Sequence, residues 1–350
     1  MSRRLSLFLL ASMFGGGWFY FGGAPPTQNQ FGQAPPAFNS PVASQANYPP
    51  AQYIAPTVPA APASYGGQAS LAQPGGATIR IASFNIQVFG NEKAKYAGIM
   101  QTLAMIIRNF HVVAIQEIRT KDSYFLDNFL RDYVNAGGTR HYDYVIGPRL
   151  GRSHSKEQYA FIYDAAAIEV NRQSIYTLND PQDLMHREPL VALFRVRGPV
   201  PTDAFTFILV NVHTDPDETD EELDTLADVY LAVRQASDGE DDIILLGDFN
   251  VDDRHLGRLG KIPGVRPIVT GVTTNTRGTS LYDNIIVHQP STAEFTGRWG
   301  VFDYRQLTNP PLSLEQALQV SDHMPIWAEF SAYESAAPGR VAGRPEAAAR

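Results

Sequence analysis

Hydrophobic residues in this chain gather into short runs, and many of the runs end in a polar tip. The clearest is Ile243-Ile244-Leu245-Leu246, which stops at Gly247 and then presents Asp248 and Asn250 around Phe249. An apolar run of this length bounded by a turn signal fits a strand covered on both faces. Period-two geometry places Asp248 and Asn250 on one side of it. Thr78 to Phe84 alternates as a strand and ends in Asn85, and Val112 to Ile115 ends in Gln116-Glu117. From Glu157 the alternation is strict, with Tyr159, Phe161 and Tyr163 on one face and Ala160 and Ile162 on the other, so two buried faces are implied. Further strands are predicted over Tyr142 to Ile146, Ile168 to Tyr176, Leu190 to Val196, Phe205 to Val212 and Ile285 to Val287, with a closing strand after Pro325. Phe205 to Val212 leads into His213, Asp283 precedes Ile285, and Asp322-His323 stand before the closing strand.

Helical spacing appears over Lys93 to Phe110, where Tyr96, Ile99, Met100, Leu103, Ile106, Ile107 and Phe110 recur at three and four. Asp122 to Val134 also reads as helical. Glu218 to Gln235 is a third helix, with acids in the first turn where the helix dipole favours them. Strands and helices follow one another without strict βαβ alternation. The fold class predicted is α/β, a four-layer sandwich of two packed β-sheets with helices on the outside.

Composition adds the outer segments. Arg3 and Arg4 precede an apolar stretch, so residues 1–24 read as an export signal or membrane anchor, with residues 5–24 as the tether in the second case. Residues 25–77 are rich in Pro, Ala and Gln and read as a disordered linker. Residues 78–331 form the catalytic domain, and 332–350 read as a mobile tail. The protein is thus expected outside the cytosol, whether secreted, periplasmic or tethered to the outer side of the membrane. The chain contains no cysteine, which removes thiol nucleophiles, cysteine metal sites and disulfides. A net charge of −8 argues against a nonspecific nucleic-acid coat but leaves room for a local basic rim.

Any one tip alone reads as a turn residue. Together Asn85, Glu117, Glu157, His213, Asp248, Asn250, Asp283, Asp322 and His323 would gather at one end of the sandwich. Oxygen donors such as Glu117, Asn85 and Asp322 suit Mg²⁺ or Mn²⁺. Two histidines with spare carboxylates then have acid/base work available. This is a kit for hydrolysing phosphodiesters.

The motifs Ser83-Phe84-Asn85-Ile86, Ile115-Gln116-Glu117-Ile118-Arg119, Val212-His213, Gly247-Asp248-Phe249-Asn250, Tyr282-Asp283 and Ser321-Asp322-His323-Met324-Pro325 resemble the endonuclease/exonuclease/phosphatase superfamily. Lys156-Glu157-Gln158-Tyr159, Arg187-Glu188-Pro189 and Asp228-Val229-Tyr230-Leu231 point within it to the deoxyribonuclease I-like branch. The resemblance implies a DNase I-like fold and a monomeric domain that cuts DNA, duplex before single strand. It implies metal ligation by Glu117, Asn85 and Asp322. Asp248 and Asn250 would hold the phosphate or a second ion, and Asn85 also lies on the substrate side. His213 with Glu157 would be the general acid, and His323 with Asp283 would activate the water. Arg119 would enter the minor groove, and Asp183 with Glu188 would lie in a structural Ca²⁺ loop.

Departures fall at the DNA contacts. Gln87 stands where the family has an arginine, Ser155 where it has a tyrosine, and the second calcium loop lacks an acid near Val272. These losses keep open a phosphodiesterase of the same fold acting on a phospholipid or nucleotide; an exported binding module is a third reading, since related proteins bind partners, although every histidine and metal acid of the pattern remains.

Overall fold

The computed structural model describes residues 78–152 and 156–334. The expected export segment, the linker, Ser155 and the tail from residue 335 lie outside the described residues. The first half runs β1 (Thr78–Phe89), α1 (Asn91–Ala94), α2 (Ala97–Ile107), β2 (Val112–Ile118), α3 (Phe125–Phe129), a π-helical turn Leu130–Val134, β3 (Tyr142–Ile146) and β4 (Gln158–Asp164). The second runs β5 (Ile168–Thr177), β6 (Leu190–Val196), β7 (Thr206–His213), α4 (Thr219–Ala236), β8 (Ile243–Asp248), β9 (Val265–Pro267), β10 (Asp283–His288), β11 (Phe295–Val301), α5 (Leu314–Val320) and β12 (Ile326–Ser331).

Two six-stranded sheets result, in the orders β11-β12-β1-β2-β4-β3 and β5-β6-β7-β8-β10-β9. Each has one parallel pair near its centre, β1 with β2 and β7 with β8, amid antiparallel neighbours. A parallel pair needs a crossover long enough to pack back on the sheet. Here α1 and α2 supply the first crossover and α4 the second, which puts helices on the two outer faces.

Period two sorts the side chains into layers. Ile79, Ile81, Val112, Ala114, Tyr159, Phe161, Leu209, Ile244, Leu246 and Ile285 point between the sheets, where Phe194, Phe205, Phe207 and Phe330 also pack. The opposite parity, including Ala82, Phe84, Val113, Ile115, Ala160 and Ile162, packs beneath α2 and α3. Val210, Val212, Ile243 and Leu245 do the same beneath α4. The two buried faces expected of β4 are both present. Above the inter-sheet core lies a polar layer: Gln116 Nε2 donates to Asn211 Oδ1 at 2.7 Å, and Asn211 Nδ2 donates to the carbonyls of Ile115 and Ala160 at 3.1 Å. It stitches the sheets together with its hydrogen bonds satisfied.

Three differences from the sequence reading have local causes. The single helix expected from Lys93 to Phe110 is broken, because Tyr96 takes an extended backbone and starts α2 as its N-cap. Its ring is exposed instead of joining the buried stripe, while the separate α1 turn lets Lys93 Nζ reach the Val320 carbonyl at 2.6 Å. β11 was missed because its Gly297 and Gly300 dilute the strand pattern, and its pairing with β12 is irregular between Phe295 and Trp299. The fold also continues past residue 331. Ala332 is buried, Tyr333 bridges to Ala204, and Glu334 Oε1 accepts from Thr206 N at 2.7 Å, so the expected mobile tail cannot begin before residue 335.

Candidate active site

Following the inward parity one step past the core explains where the polar tips fall. β1 carries 81, 83, 85; β7 carries 209, 211, 213; β8 carries 244, 246, 248; and β10 carries 285 and then 283 toward the same end. His213, Asp248 and Asp283 therefore occupy the last inward position of three strands, with Asn85 on the inward face of β1, joined by Glu157 beside the start of β4. They are almost wholly buried. Gly247 makes the approach possible: its φ is +154°, and a Cβ there would lie 1.8 Å from the Val212 carbonyl oxygen.

Two imidazoles face one oxygen. His213 Nδ1 lies 2.7 Å from Glu157 Oε1, and its Nε2 is 3.7 Å from Asp248 Oδ2. His323 Nδ1 lies 2.8 Å from Asp283 Oδ2, and its Nε2 is 3.5 Å from the same Asp248 oxygen. Each carboxylate accepts the Nδ1 proton, which fixes the tautomer and turns Nε2 toward the cleft. Burial lowers both imidazoles, but the carboxylates outweigh it. Glu157 and Asp248 raise His213, while Asp283 and Asp248 raise His323 well above its ordinary value. For Glu157 burial pushes upward, and His213, Arg187 and Arg119 pull its carboxyl down overall. Asp283 stays raised, by burial first, with Asp248 adding to it against His323.

Beside the dyads, Asn85 Nδ2 donates to Asp248 Oδ2 at 3.0 Å and to Glu117 Oε1 at 3.3 Å, and Val88 N donates to Glu117 Oε2 at 2.9 Å. Asn85 Oδ1 is buried with no partner. A carboxylate held on two sides, next to an orphaned amide oxygen, fits a hard oxygen-seeking cation, so Glu117, Asn85 and Asp248 are suited to Mg²⁺. Asp322 Oδ1 lies 4.0 Å from His323 Nε2, and its Oδ2 accepts from Gln87 Nε2 at 2.9 Å. Asp248, Asp283 and His323 also bring possible ligand atoms within 4.8 Å of one another. Two of these residues are already bonded to each other as a dyad, which favours proton handling there and metal at Glu117. Arg119 Nη2 lies 3.2 Å from Glu117 Oε2 and 3.5 Å from Glu157 Oε2, so the guanidinium spans the two carboxylates rather than projecting away.

Residues 82–323 match the endonuclease/exonuclease/phosphatase family. The chain belongs to this family, in its deoxyribonuclease I-like branch. Deoxyribonuclease gamma of Rattus norvegicus is 33% identical over 285 residues, covering 76% of this chain and 88% of that protein. Human deoxyribonuclease-1-like 1 is 32% identical over 266 residues, covering 73% and 85%. Among solved structures, a conserved Enterococcus faecalis V583 protein described as functionally unknown aligns with TM-score 0.52 at 17% identity, over 73% of this chain and all of that one. That likeness concerns the fold.

For this family member the structure brings Asn85, Glu117, Glu157, His213, Asp248, Asp283 and His323 into one cleft. Asn250 joins through a different bond from the one its spacing suggests: its Nδ2 donates to the Thr214 carbonyl at 2.9 Å, and its backbone N to Asp248 Oδ1 at 3.0 Å. Asp183 and Glu188 lie in the β5–β6 loop. Asp183 Oδ1 pairs with Arg152 Nε at 3.1 Å. Burial, with Asp180 and Asp183 adding, raises the Glu188 carboxyl.

Several supporting residues escaped the sequence. Buried Arg187 donates to the His213 and Thr214 carbonyls at 3.1 and 3.0 Å and lies 3.5 Å from Glu157 Oε1. Tyr159 Oη accepts from His213 N at 3.0 Å, and Thr274 Oγ1 donates to Asp283 Oδ2 at 2.7 Å. Lys93 is lowered to about 8 by burial, against the pull of Asp322 and Glu117. Val88, Glu117 and Asn250 all take positive φ, +51°, +64° and +52°. Strain of this kind persists where surrounding bonds over-determine it, and no sequence pattern signals it in a valine or a glutamate.

Proposed function

We propose that this protein is an exported, divalent-metal-dependent endonuclease that hydrolyses DNA phosphodiester bonds, duplex in preference to single strand. The observation that carries the reading is the pair of carboxylate-anchored imidazoles converging on Asp248 Oδ2, beside the oxygen site of Glu117 and Asn85. The names of the similar proteins, deoxyribonucleases, support DNA as substrate.

In this reading the phosphate lies between the two Nε2 atoms, held by Asn85 and Asn250. His323 Nε2 takes the proton of the attacking water as the new P–O bond forms. His213 Nε2 gives its proton to O3′ as the P–O3′ bond breaks, leaving a 5′-phosphate and a 3′-hydroxyl. The raised state of His213 suits an acid. That of His323 opposes a base until positive charge joins Asp248 and Glu117. Mg²⁺ or Mn²⁺, held by Glu117 and Asn85 with Asp248 and Asp322 alongside, would supply that charge and neutralise the phosphate. Arg119 contacts the DNA backbone or minor groove once Glu117 is engaged. The like charges in the Asp180–Glu188 loop support a structural Ca²⁺ there. The preceding segments carry the domain across a membrane and hold it on a linker.

One observation favours a second reading, a phosphodiesterase of the same fold with a non-DNA substrate. Gln87, at a DNA-contact position of the family, directs its amide to Asp322 instead of outward. Supercoiled plasmid incubated with Mg²⁺, with and without EDTA, decides between them. Metal-dependent conversion to open circle is the expected result. Intact plasmid together with rapid turnover of a small chromogenic phosphodiester would establish the second reading, and inertness toward both would leave only a binding module.

A further inference from the structure

Strands β7 and β8 end in the active site and begin at the opposite end of the sandwich, where a second group of carboxylates collects. Asp242 immediately precedes β8, Glu294 immediately precedes β11, and Glu334 follows β12. One oxygen from each lies within 4.8 Å of the others. Glu240 stands beside them and accepts from Thr206 Oγ1 and from Asp242 N. The segments that bring them together come from both sheets: Glu334 N donates to the Asp203 carbonyl at 3.0 Å, and Ser331 N to the Glu294 carbonyl at 2.8 Å.

Asp242 is the residue that points to a ligand. Its side chain is 2% exposed, it faces the other two carboxylates, and its Oδ1 has no hydrogen-bond partner. The hydroxyl of Thr292 is near enough to draw the carboxyl downward slightly, yet it too is buried with no partner in bonding geometry. After burial, the strongest influences on Asp242 are the carboxylates of Glu294, Glu240 and Glu334, and together they push it up to about 9. Glu334 is driven to about 7 by burial, with Glu240 and Glu294 adding. Convergent carboxylates, two of them buried and one with an orphaned oxygen, repel one another unless a cation or shared protons intervene.

We infer that Asp242, Glu294 and Glu334, with Glu240 and the Thr292 hydroxyl beside them, form a binding site for a structural Ca²⁺ that clamps the two sheets together at the end remote from catalysis. The donors are all oxygen, with no histidine or cysteine, which selects a hard cation. They come from separate, irregular segments, which suits the variable coordination of Ca²⁺ better than the strict octahedron of Mg²⁺. A cation here joins the end of β12 in one sheet to the starts of β7 and β8 in the other.

The test uses the full-length protein stripped of metal. Ca²⁺ binding is measured by calorimetry, and thermal unfolding is followed with and without saturating CaCl₂, for the parent, Asp242→Asn, Glu334→Gln and Glu117→Gln. The parent should gain several degrees of Tm from Ca²⁺. Asp242→Asn should bind one ion fewer and gain measurably less Tm from Ca²⁺ than the parent, the Asp180–Glu188 loop keeping its own share, while equalling or exceeding the parent in EDTA because a repulsion has been removed. Glu117→Gln should keep the gain, which separates this site from the catalytic one. If Asp242→Asn fails to fold, Glu334→Gln decides, with the same stoichiometry and the same loss expected. Equal Ca²⁺ stoichiometry and equal Tm gain in the parent and the base-end variants would show that shared protons hold the cluster, and the inference would fall.

Discussion

At the candidate-site end of β7 and β8, buried carboxylates meet donors of opposite character: Glu157 faces His213, Arg187 and Arg119, and Asp283 faces His323 and Thr274. At the other end of the same strands, about 20 Å away at the rise of a β-strand, Asp242 faces three carboxylates. The histidines differ in the same sense. His213 and His323 are raised by acids. His111, just before β2, is lowered to about 4 by burial and by Arg140 and Arg80 against its neighbouring acids, and its Nδ1 accepts from Arg80 N at 2.9 Å. Burial alone does not set the chemistry of an ionisable group. Its charged neighbours do, and one sandwich presents opposite sets at its two ends.

The comparison breaks most visibly at the candidate-site end. His213→Ala and His323→Ala should each lower hydrolysis by roughly 10²–10⁴-fold while the fold is kept. Retention of activity within about threefold in both variants, measured on plasmid, would remove the imidazoles from the chemistry. Glu117→Ala should be comparably inactive, and excess Mg²⁺ should not restore it; full rescue would mean that this carboxylate acts indirectly.

Arg187→Met should cost stability as well as activity, about 3–5 kcal/mol, because it takes the cation from a buried pair and leaves Glu157 less compensated. In urea unfolding, the double variant Arg187→Met/Glu157→Leu should recover part of that stability and none of the activity. No recovery would place the loss in the two backbone carbonyls that Arg187 holds.

His111 gives the mildest stability effect, and its sign follows from linkage. Its folded value of about 4 lies below the ordinary 6.5, so between those values the unfolded chain binds a proton that the native protein refuses. Stability should therefore fall as pH drops from about 6.5 to about 4, by on the order of 3 kcal/mol. His111→Asn should flatten that interval, and an unchanged slope in its unfolding free energy would count against a neutral buried imidazole.

The smallest effect concerns DNA. Arg119→Ala should weaken duplex cleavage more than turnover of a small phosphodiester, and should reduce the salt slope of duplex binding by about one. Equal losses on both substrates would assign Arg119 to the two carboxylates it already spans.

Much of this architecture was legible along the chain. The strands show as apolar runs with period two, and β4 carried two apolar faces because helices cover one side of its sheet and the partner sheet the other. The convergence of the polar tips was legible because the parity that buries Leu246 and Ile285 brings Asp248 and Asp283 to the same face at the strand ends. α5 was missed although Ser313 and Gln316 form its capping box, a signal present in the residues themselves. The break at Tyr96, by contrast, goes with a bond from Lys93 to a carbonyl more than 200 residues away in sequence, which no local pattern shows.

Local pattern thus determined which residues are strand and helix, which face is buried, and which polar groups end the strands, since these follow from spacing along a few residues. Only the tertiary structure decided what those groups meet. The positive φ of Val88 and Glu117, the Arg187 brace on the Glu157–His213 dyad, the inward turn of Arg119 and the meeting of Asp242 with Glu294 and Glu334 each join segments far apart in the chain. A carboxylate becomes a base-orienting partner, a metal ligand or a repelling neighbour according to the charges that packing sets within a few ångströms of it, and no periodicity of the chain encodes that distance.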